Sequence, residues 1–260
     1  MIKNLFDLTG RVALITGGNG GIGLGMAEGL ASQGCEVSIW GTNDDKNTAA
    51  LDTLEAYGPK ISVQNCNVAD QTEVNACFAE TLKIHSRVDG CYANAGVGAR
   101  GTDFDKLDEA EWHRIMDVNL HGVFYTFKCA AAHMRERSDN GDSFGRLVAT
   151  ASLAVVSGQA KGEHYAATKG ALVPMIKALA VEYARHGITA HTLLPGWVET
   201  GMTEQTFAWE KFTDNVMPRI PMRRWGIPED FAAIACYIMC EASNWHTAET
   251  FLIDGGYANF

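Results

Sequence analysis

Short apolar runs closed by glycine alternate along almost the whole chain with longer stretches whose apolar residues recur every three to four positions. "RVALITGG" reads as a strand and "GLGMAEGLASQG" as the helix after it, ended by glycine. The alternation continues with "CEVSIW" as strand, "NTAALDTLEAYG" as helix, "ISVQNC" as strand, "QTEVNACFAETLKIH" as helix and "VDGCYANAG" as strand. A long helix, "DEAEWHRIMDVNLHGVFYTFKCAAAHMRER", precedes the strand "FGRLVATAS"; the helix "EHYAATKGALVPMIKALAVEYARHG" precedes the strand "ITAHTLLPG". The helix "PEDFAAIACYIMCEA" and the strand "TFLIDGG" close the series.

Strands that alternate with helices need long crossovers, so the pattern predicts an α/β fold, a doubly wound parallel sheet with helices on both faces. No Pro/Gly/Ser-rich linker divides the chain, and one catalytic domain over 1–260 is expected. Residues 197–226 break the rhythm. They carry Phe207, Trp209, Phe212 and Met217 after a strand end and read as a lid over a site.

Composition narrows the class of partner. The 260 residues carry a formal charge of −10 and no long basic run, which gives no electrostatic reason to expect nucleic acid or an anionic membrane. A small molecule is the expected partner. Seven scattered cysteines with no CxxC pair indicate neither a disulfide framework nor a metal site. With Asp7 interrupting the apolar start and no run approaching membrane-spanning length, a soluble, cytoplasmic protein is expected.

The candidate chemistry begins at "TGGNGGIG", 16–23, where glycines lie between the first strand and the first helix. Glycine lets the backbone approach a pyrophosphate, and the helix N-terminus offers free N–H groups and a partial positive charge. Gly18, Gly20 and Gly23 fit GxGxxG, while Gly17, Gly21 and Gly23 fit TGxxxGxG. The same chain carries "NAG" at 94–96, Asn119, Ser152, "YAATK" at 165–169, "PG" at 195–196 and "DGG" at 254–256. In this order and spacing the chain resembles a classical short-chain dehydrogenase/reductase over nearly its whole length.

That resemblance implies a Rossmann-type, three-layer αβα domain, a nicotinamide cofactor and a homotetramer built through helices like those at 108–136 and 163–186. It assigns Gly17, Asn19, Gly21, Ile22 and Gly23 to the cofactor phosphates, with Thr42 near the adenosine ribose. Asn67 and Val68 would flank the adenine, although this family more often has Asp in place of Asn67. Asn94, Ala95 and Gly96 would line the cofactor at the fourth strand, followed by Pro195 and Gly196, and by Val198 and Thr200 at the nicotinamide carboxamide. For NAD or NADP the guide is the second strand end, "WGTNDDK". Gly41 stands where NAD-preferring members carry Asp, and Thr42 where many NADP-preferring members carry Arg. A 2′-phosphate near Asp44 and Asp45 would have only Lys46 to pair with, which favours NAD.

Hydride transfer to or from a carbon also moves a proton on or off oxygen. Free tyrosine, with a pKa of about 10, is a poor base near neutrality, and bringing it toward 7 needs roughly 4 kcal/mol of preferential tyrosinate stabilisation. An ammonium at i+4 shares the helical face and an oxidised nicotinamide adds a second positive charge, so both are expected to favour the Tyr165 phenolate, with Lys169 depressing its pKa. The resemblance gives Tyr165 the acid/base role, Ser152 a hydrogen bond to the substrate oxygen, Lys169 the nicotinamide ribose, and Asn119 a water that links Lys169 to solvent. From the same layout Leu153, Ala154, Gln159, Val97, Trp197 and Met202 would line the substrate. Their apolar bias suggests a hydrophobic or cyclic secondary alcohol or ketone, Arg100 being the one candidate for a carboxylate. A sugar or 3-oxoacyl reductase using NADP is the alternative, and a silent dinucleotide sensor a remoter one. His164 reads as packing or solvent-facing, His191 as a satisfied core histidine, and Asp103 and Asp105 as turn residues.

Overall fold

The computed structural model describes residues 4–260. Seven strands form one parallel sheet: β1 (Val12–Thr16), β2 (Glu36–Gly41), β3 (Ile61–Asn65), β4 (Gly90–Ala93), β5 (Gly145–Thr150), β6 (Ile188–Pro195) and β7 (Thr250–Ile253). Their order is β3-β2-β1-β4-β5-β6-β7, so the direction of winding reverses between β1 and β4. Loops diverge at such a switch point and leave a crevice at the carboxyl ends of the strands. The register, Thr16 beside both Trp40 and Ala93, brings the ends of β1, β2 and β4 level at that crevice.

The crossovers are α1 (Gly21–Ser32), α2 (Asp44–Glu55), α3 (Gln71–His85), α4 (Glu109–Met116), α5 (Gly122–Asp139), α6 (Glu163–Tyr183) and α9 (Ala232–Met239). Two apolar layers hold them to the sheet. On one face Val123, Phe127, Leu172 and Ile176 pack with Leu147 and Ala190; on the other Met26, Leu30, Phe231 and Ile238 pack with Ile15 and Val148. Local caps set the starts: Asp70 accepts from Thr72 N–H and Glu73 N–H at α3, and Asp108 from Glu111 N–H at α4. The long helix read over 108–137 is α4 and α5 joined by one π turn, Asp117–His121.

Two sequence expectations change. The second helix begins at Asp44 rather than Asn47, because Asn43 caps Lys46 N–H and two carboxylates occupy the first turn, where the helix dipole favours them. Asp44 and Asp45 are therefore helical, not loop. His191 is buried on β6, yet among the described residues neither ring nitrogen has a hydrogen-bond partner, so it is a core histidine that is not satisfied there. Burial, and next the neighbouring His246, push its pKa down to about 4, which keeps the ring neutral. Among the described residues no helix is long and apolar enough to cross a membrane.

The segment after β6 holds two short helices, α7 (Glu204–Phe207) and α8 (Glu210–Val216). Trp197, Phe207, Phe212 and Trp225 pack there edge-on and stacked, the Phe207 and Trp225 rings 4.1 Å apart at 9°. The aromatic content read as a lid therefore forms its own small core over Leu153, Val216, Ile220 and Tyr257.

Candidate active site

The turn from β1 to α1 depends on glycine. Gly17 has φ +64°, and a Cβ on Gly23 would fall 2.2 Å from Gly17 O. α1 begins without any side-chain cap and without an acidic residue in its first turn, so its first N–H groups are free to meet an anion. Asn94 ties this turn to β4: its Nδ2 donates to Thr16 O and Gly17 O, while Thr16 Oγ1 accepts from Asn94 N–H and Ala95 N–H. Ile22 packs on the core, and Thr200 lies over the turn, its methyl 3.0 Å from where a Cβ on Gly21 would be. These residues fit a bound dinucleotide pyrophosphate.

At the end of β2, Asn19 Nδ2 donates to Asn47 Oδ1 at 2.7 Å, and Asn47 Nδ2 donates to Gly41 O. The pair covers Gly41 so closely that a Cβ there would lie 2.1 Å from Asn19 Nδ2. A neutral amide bridge thus covers the end of β2, where the resemblance would put the adenosine ribose, with Thr42 exposed next to it. Asn47 had no signal in the sequence. Asn67 is exposed, its N–H bonded to Glu73, whereas the Val68 side chain packs into the core against Gly122. At most the backbone of Val68 is available to an adenine. Gly196 presses on Asp254 where the loops after β6 and β7 meet, next to Pro195, and Val198 forms a bridge with Gly226 at the base of the α7–α8 segment.

Ser152 follows β5 by two residues and half-buried Tyr165 lies in the first turn of α6. Lys169, one turn further, is buried; its Nζ donates to Thr150 O at 2.8 Å and lies 5.9 Å from the Tyr165 ring centroid. Asn119, in the π turn and buried, accepts Val97 N–H on Oδ1 and donates from Nδ2 to Val97 O. Gly96 stands between these groups: a Cβ there would be 3.3 Å from both Asn119 Oδ1 and Lys169 Nζ. The structure therefore brings Asn119, Ser152, Tyr165, Lys169 and the 94–96 turn to one place at the crevice.

Burial acts on both titrating groups of the site. Burial pushes the Tyr165 phenol up from its ordinary value, opposed by the Ser152 hydroxyl. Burial also lowers the Lys169 ammonium to about 8. Burial thus favours the neutral phenol, and added positive charge would favour the phenolate.

The substrate residues inferred from the family's layout differ in exposure, and Leu153 and Trp197 share one cluster. Leu153 is buried under the lid, Trp197 is half-buried in the aromatic cluster, Ala154 is half-buried, and Gln159 and Met202 are exposed. A cavity of about 450 Å³ opens between Glu199, Thr200, Thr203, Phe207 and Trp225, and one of about 180 Å³ under Trp197, Met222 and Asp254. Neither is lined by Ser152 or Tyr165, so the chemistry is located by side chains and not by volume. His164 is wholly buried rather than solvent-facing, and Asp103 opens a 3-10 turn and pairs with Lys106 and Lys161.

A family model described as enoyl-(acyl carrier protein) reductase matches residues 17–258. The chain is 32% identical over 254 residues to 3-oxoacyl-[acyl-carrier-protein] reductase of Chlamydia pneumoniae, covering 96% of this chain and 97% of the relative. It is 33% identical over 253 residues to gluconate 5-dehydrogenase of Gluconobacter oxydans, covering 97% and 96%. Among solved structures, a gluconate 5-dehydrogenase from Burkholderia cenocepacia in complex with NADP and tartrate superposes with a TM-score of 0.91 at 31% identity, over 99% of this chain and 98% of that one.

Proposed function

Because the chain belongs to the classical short-chain dehydrogenase/reductase family, we propose that it interconverts a secondary alcohol and a ketone, with Tyr165 carrying the proton. The supporting observation is the buried Lys169 ammonium beneath that phenol. Among the described residues it has no carboxylate partner and rests on a single carbonyl, Thr150 O. A buried cation without a counter-ion is costly, and it is kept where a nearby negative charge must form. Tyrosinate is that charge. When bound, the nicotinamide ring supplies the hydride acceptor or donor.

The side chains divide the remaining work. Ser152 hydrogen-bonds the substrate oxygen, and Tyr165 gives the proton in ketone reduction or takes it in alcohol oxidation. Lys169 favours the phenolate, and Asn119 holds Val97 and the turn before it in place. The glycine turn and the start of α1 hold the pyrophosphate, while Asn94 fixes the turn's shape. The aromatic lid favours a hydrophobic or cyclic substrate.

A second reading, an acidic substrate such as a sugar acid or a 3-oxoacyl thioester, is favoured by Arg100. Its exposed guanidinium on the loop after β4 has Glu111, at 3.5 Å, as its one ion-pair partner among the described residues. The relatives named as gluconate 5-dehydrogenase and 3-oxoacyl-[acyl-carrier-protein] reductase point the same way.

NAD is the cofactor we favour over NADP. The Asn19–Asn47 bridge is neutral, no guanidinium stands at Thr42, and Asp44 accepts from Asn65 close by. Lys46 is the one cation of this segment, its Nζ 4.0 Å from where a Cβ on Gly201 would lie.

A panel of cyclic alcohols, sugar acids and 3-oxoacyl thioesters, followed by the absorbance of reduced nicotinamide with each cofactor, tests both readings. Turnover confined to cyclic or apolar alcohols supports the first; turnover confined to acids, lost in Arg100→Ala, supports the second; none in any class refutes both. Calorimetric titration should show tighter NAD than NADP, and Thr42→Arg should shift the preference toward NADP. The reverse order in the parent protein would overturn the cofactor assignment.

A further inference from the structure

Glu111 lies on α4, and nothing in the chemistry above uses it. Yet its carboxylate is buried and collects basic side chains from three segments. Arg114, one turn along α4, donates Nε and Nη2 to it at 2.7 Å each. Arg100, on the loop after β4, brings Nε to 3.5 Å. His164, the residue before Tyr165 on α6, brings Nε2 to 3.7 Å. Arg114, the first cause, and then Arg100 hold the Glu111 carboxyl down to about 2, so it stays charged.

These contacts join two sides of the crevice. Arg114 Nη2 also donates to Gly98 O at 2.8 Å, and Asn119 already takes both backbone groups of Val97. Loop 97–100 is thereby held at Val97, at Gly98 through Arg114, and at Arg100. The same loop faces the lid, since a Cβ on Gly98 would meet Met202 at 3.6 Å. On the other side, the His164 ring is 1% exposed and neither nitrogen has a hydrogen-bond partner, which leaves Glu111 as its one polar contact among the described residues. An exposed Glu–Arg pair at i,i+3 would matter little, but a buried carboxylate shared by a loop, a helix and the residue beside the reacting phenol is a fixed joint.

We propose that Glu111 is a positioning residue that sets the width of the substrate mouth, by fixing loop 97–100 against the start of the Tyr165 helix. The proposal takes the secondary-alcohol reading for the identity of the substrate, but the coupling between loop and helix stands on the contacts alone.

The test uses the full chain carrying Glu111→Gln, which keeps the shape and removes the charge. Hydrogen exchange is expected to speed up in both 97–101 and 160–166 while 17–23 keeps its parent rate. In the same variant KM for a bulky cyclic alcohol should rise about tenfold, the scale of one lost charge-assisted hydrogen bond. kcat, KM for a small acyclic alcohol and the dissociation constant of the dinucleotide should stay near parent values. Arg114→Lys keeps a cation but loses the two-pronged donor, and should give the same pattern more weakly if Glu111→Gln does not fold. Parent exchange rates at 97–101 and 160–166 would overturn the proposal, as would a uniform loss in which exchange, both KM values and cofactor affinity all worsen together. If the parent protein turns over no secondary alcohol or ketone, the substrate reading fails, and the exchange rates alone decide whether the joint exists.

Discussion

Lys169 shows how one side chain links stability to chemistry. Burial lowers its ammonium to about 8 from an ordinary 10.5. The unfolded chain keeps this proton up to the higher value and the folded chain releases it near the lower one. Between them the unfolded state binds more protons, and the contribution of this group to stability rises with pH. Below that window the folded protein bears the cost of a buried charge. Lys169→Met should therefore flatten the dependence of Tm on pH between 8 and 10.5 while removing turnover. A variant as steep as the parent across that range would contradict the buried-ammonium assignment. At Tyr165, YxxxK spacing places a lysine below the phenol, while burial, which spacing does not report, pushes the phenol up in the chain without cofactor.

Among the elements, the segment between β6 and α9, proposed as a lid, rests on its aromatic stack. The parallel Phe207 and Trp225 rings join Trp197 and Phe212, and such a pair contributes about 0.5–1.5 kcal/mol beyond its buried area. Trp225→Ala should loosen α7 and α8 without disturbing the sheet, seen as faster limited proteolysis within 204–216 and a higher KM. Unchanged cleavage would show that the lid is held by something else. Strands and helices were legible because their apolar periods differ and glycine marks their ends. The start of α2 was not, because its first turn, Asp44-Asp45-Lys46, carries no apolar period and depends on a cap and the helix dipole. The unsatisfied state of His191 was equally hidden, since it depends on what β7 and His246 place against the ring.

For the whole molecule, the parallel sheet turns dispersed motifs into one site. The glycine turn, Asn94, Asn119, Ser152, Tyr165 and Lys169 were legible as types at fixed spacings, and the switch point between β1 and β4 explains why they converge. What joins them was not legible: Thr150 acts through a carbonyl that every residue has, and Glu111 meets Arg100, Arg114 and His164 only in three dimensions. The exposed Phe124 on α5 and Val181 on α6 are apolar surface of the kind that subunits cover. A homotetramer should give a light-scattering mass four times the 28.2 kDa chain, and a monomer mass would refute it. The assignment of Tyr165 as the proton carrier is tested most directly by steady-state turnover of Tyr165→Phe alongside its cofactor affinity. We expect turnover to fall at least about a hundredfold, the scale of lost general acid–base catalysis, with the dinucleotide bound as before; a variant that keeps parent turnover would contradict the mechanism.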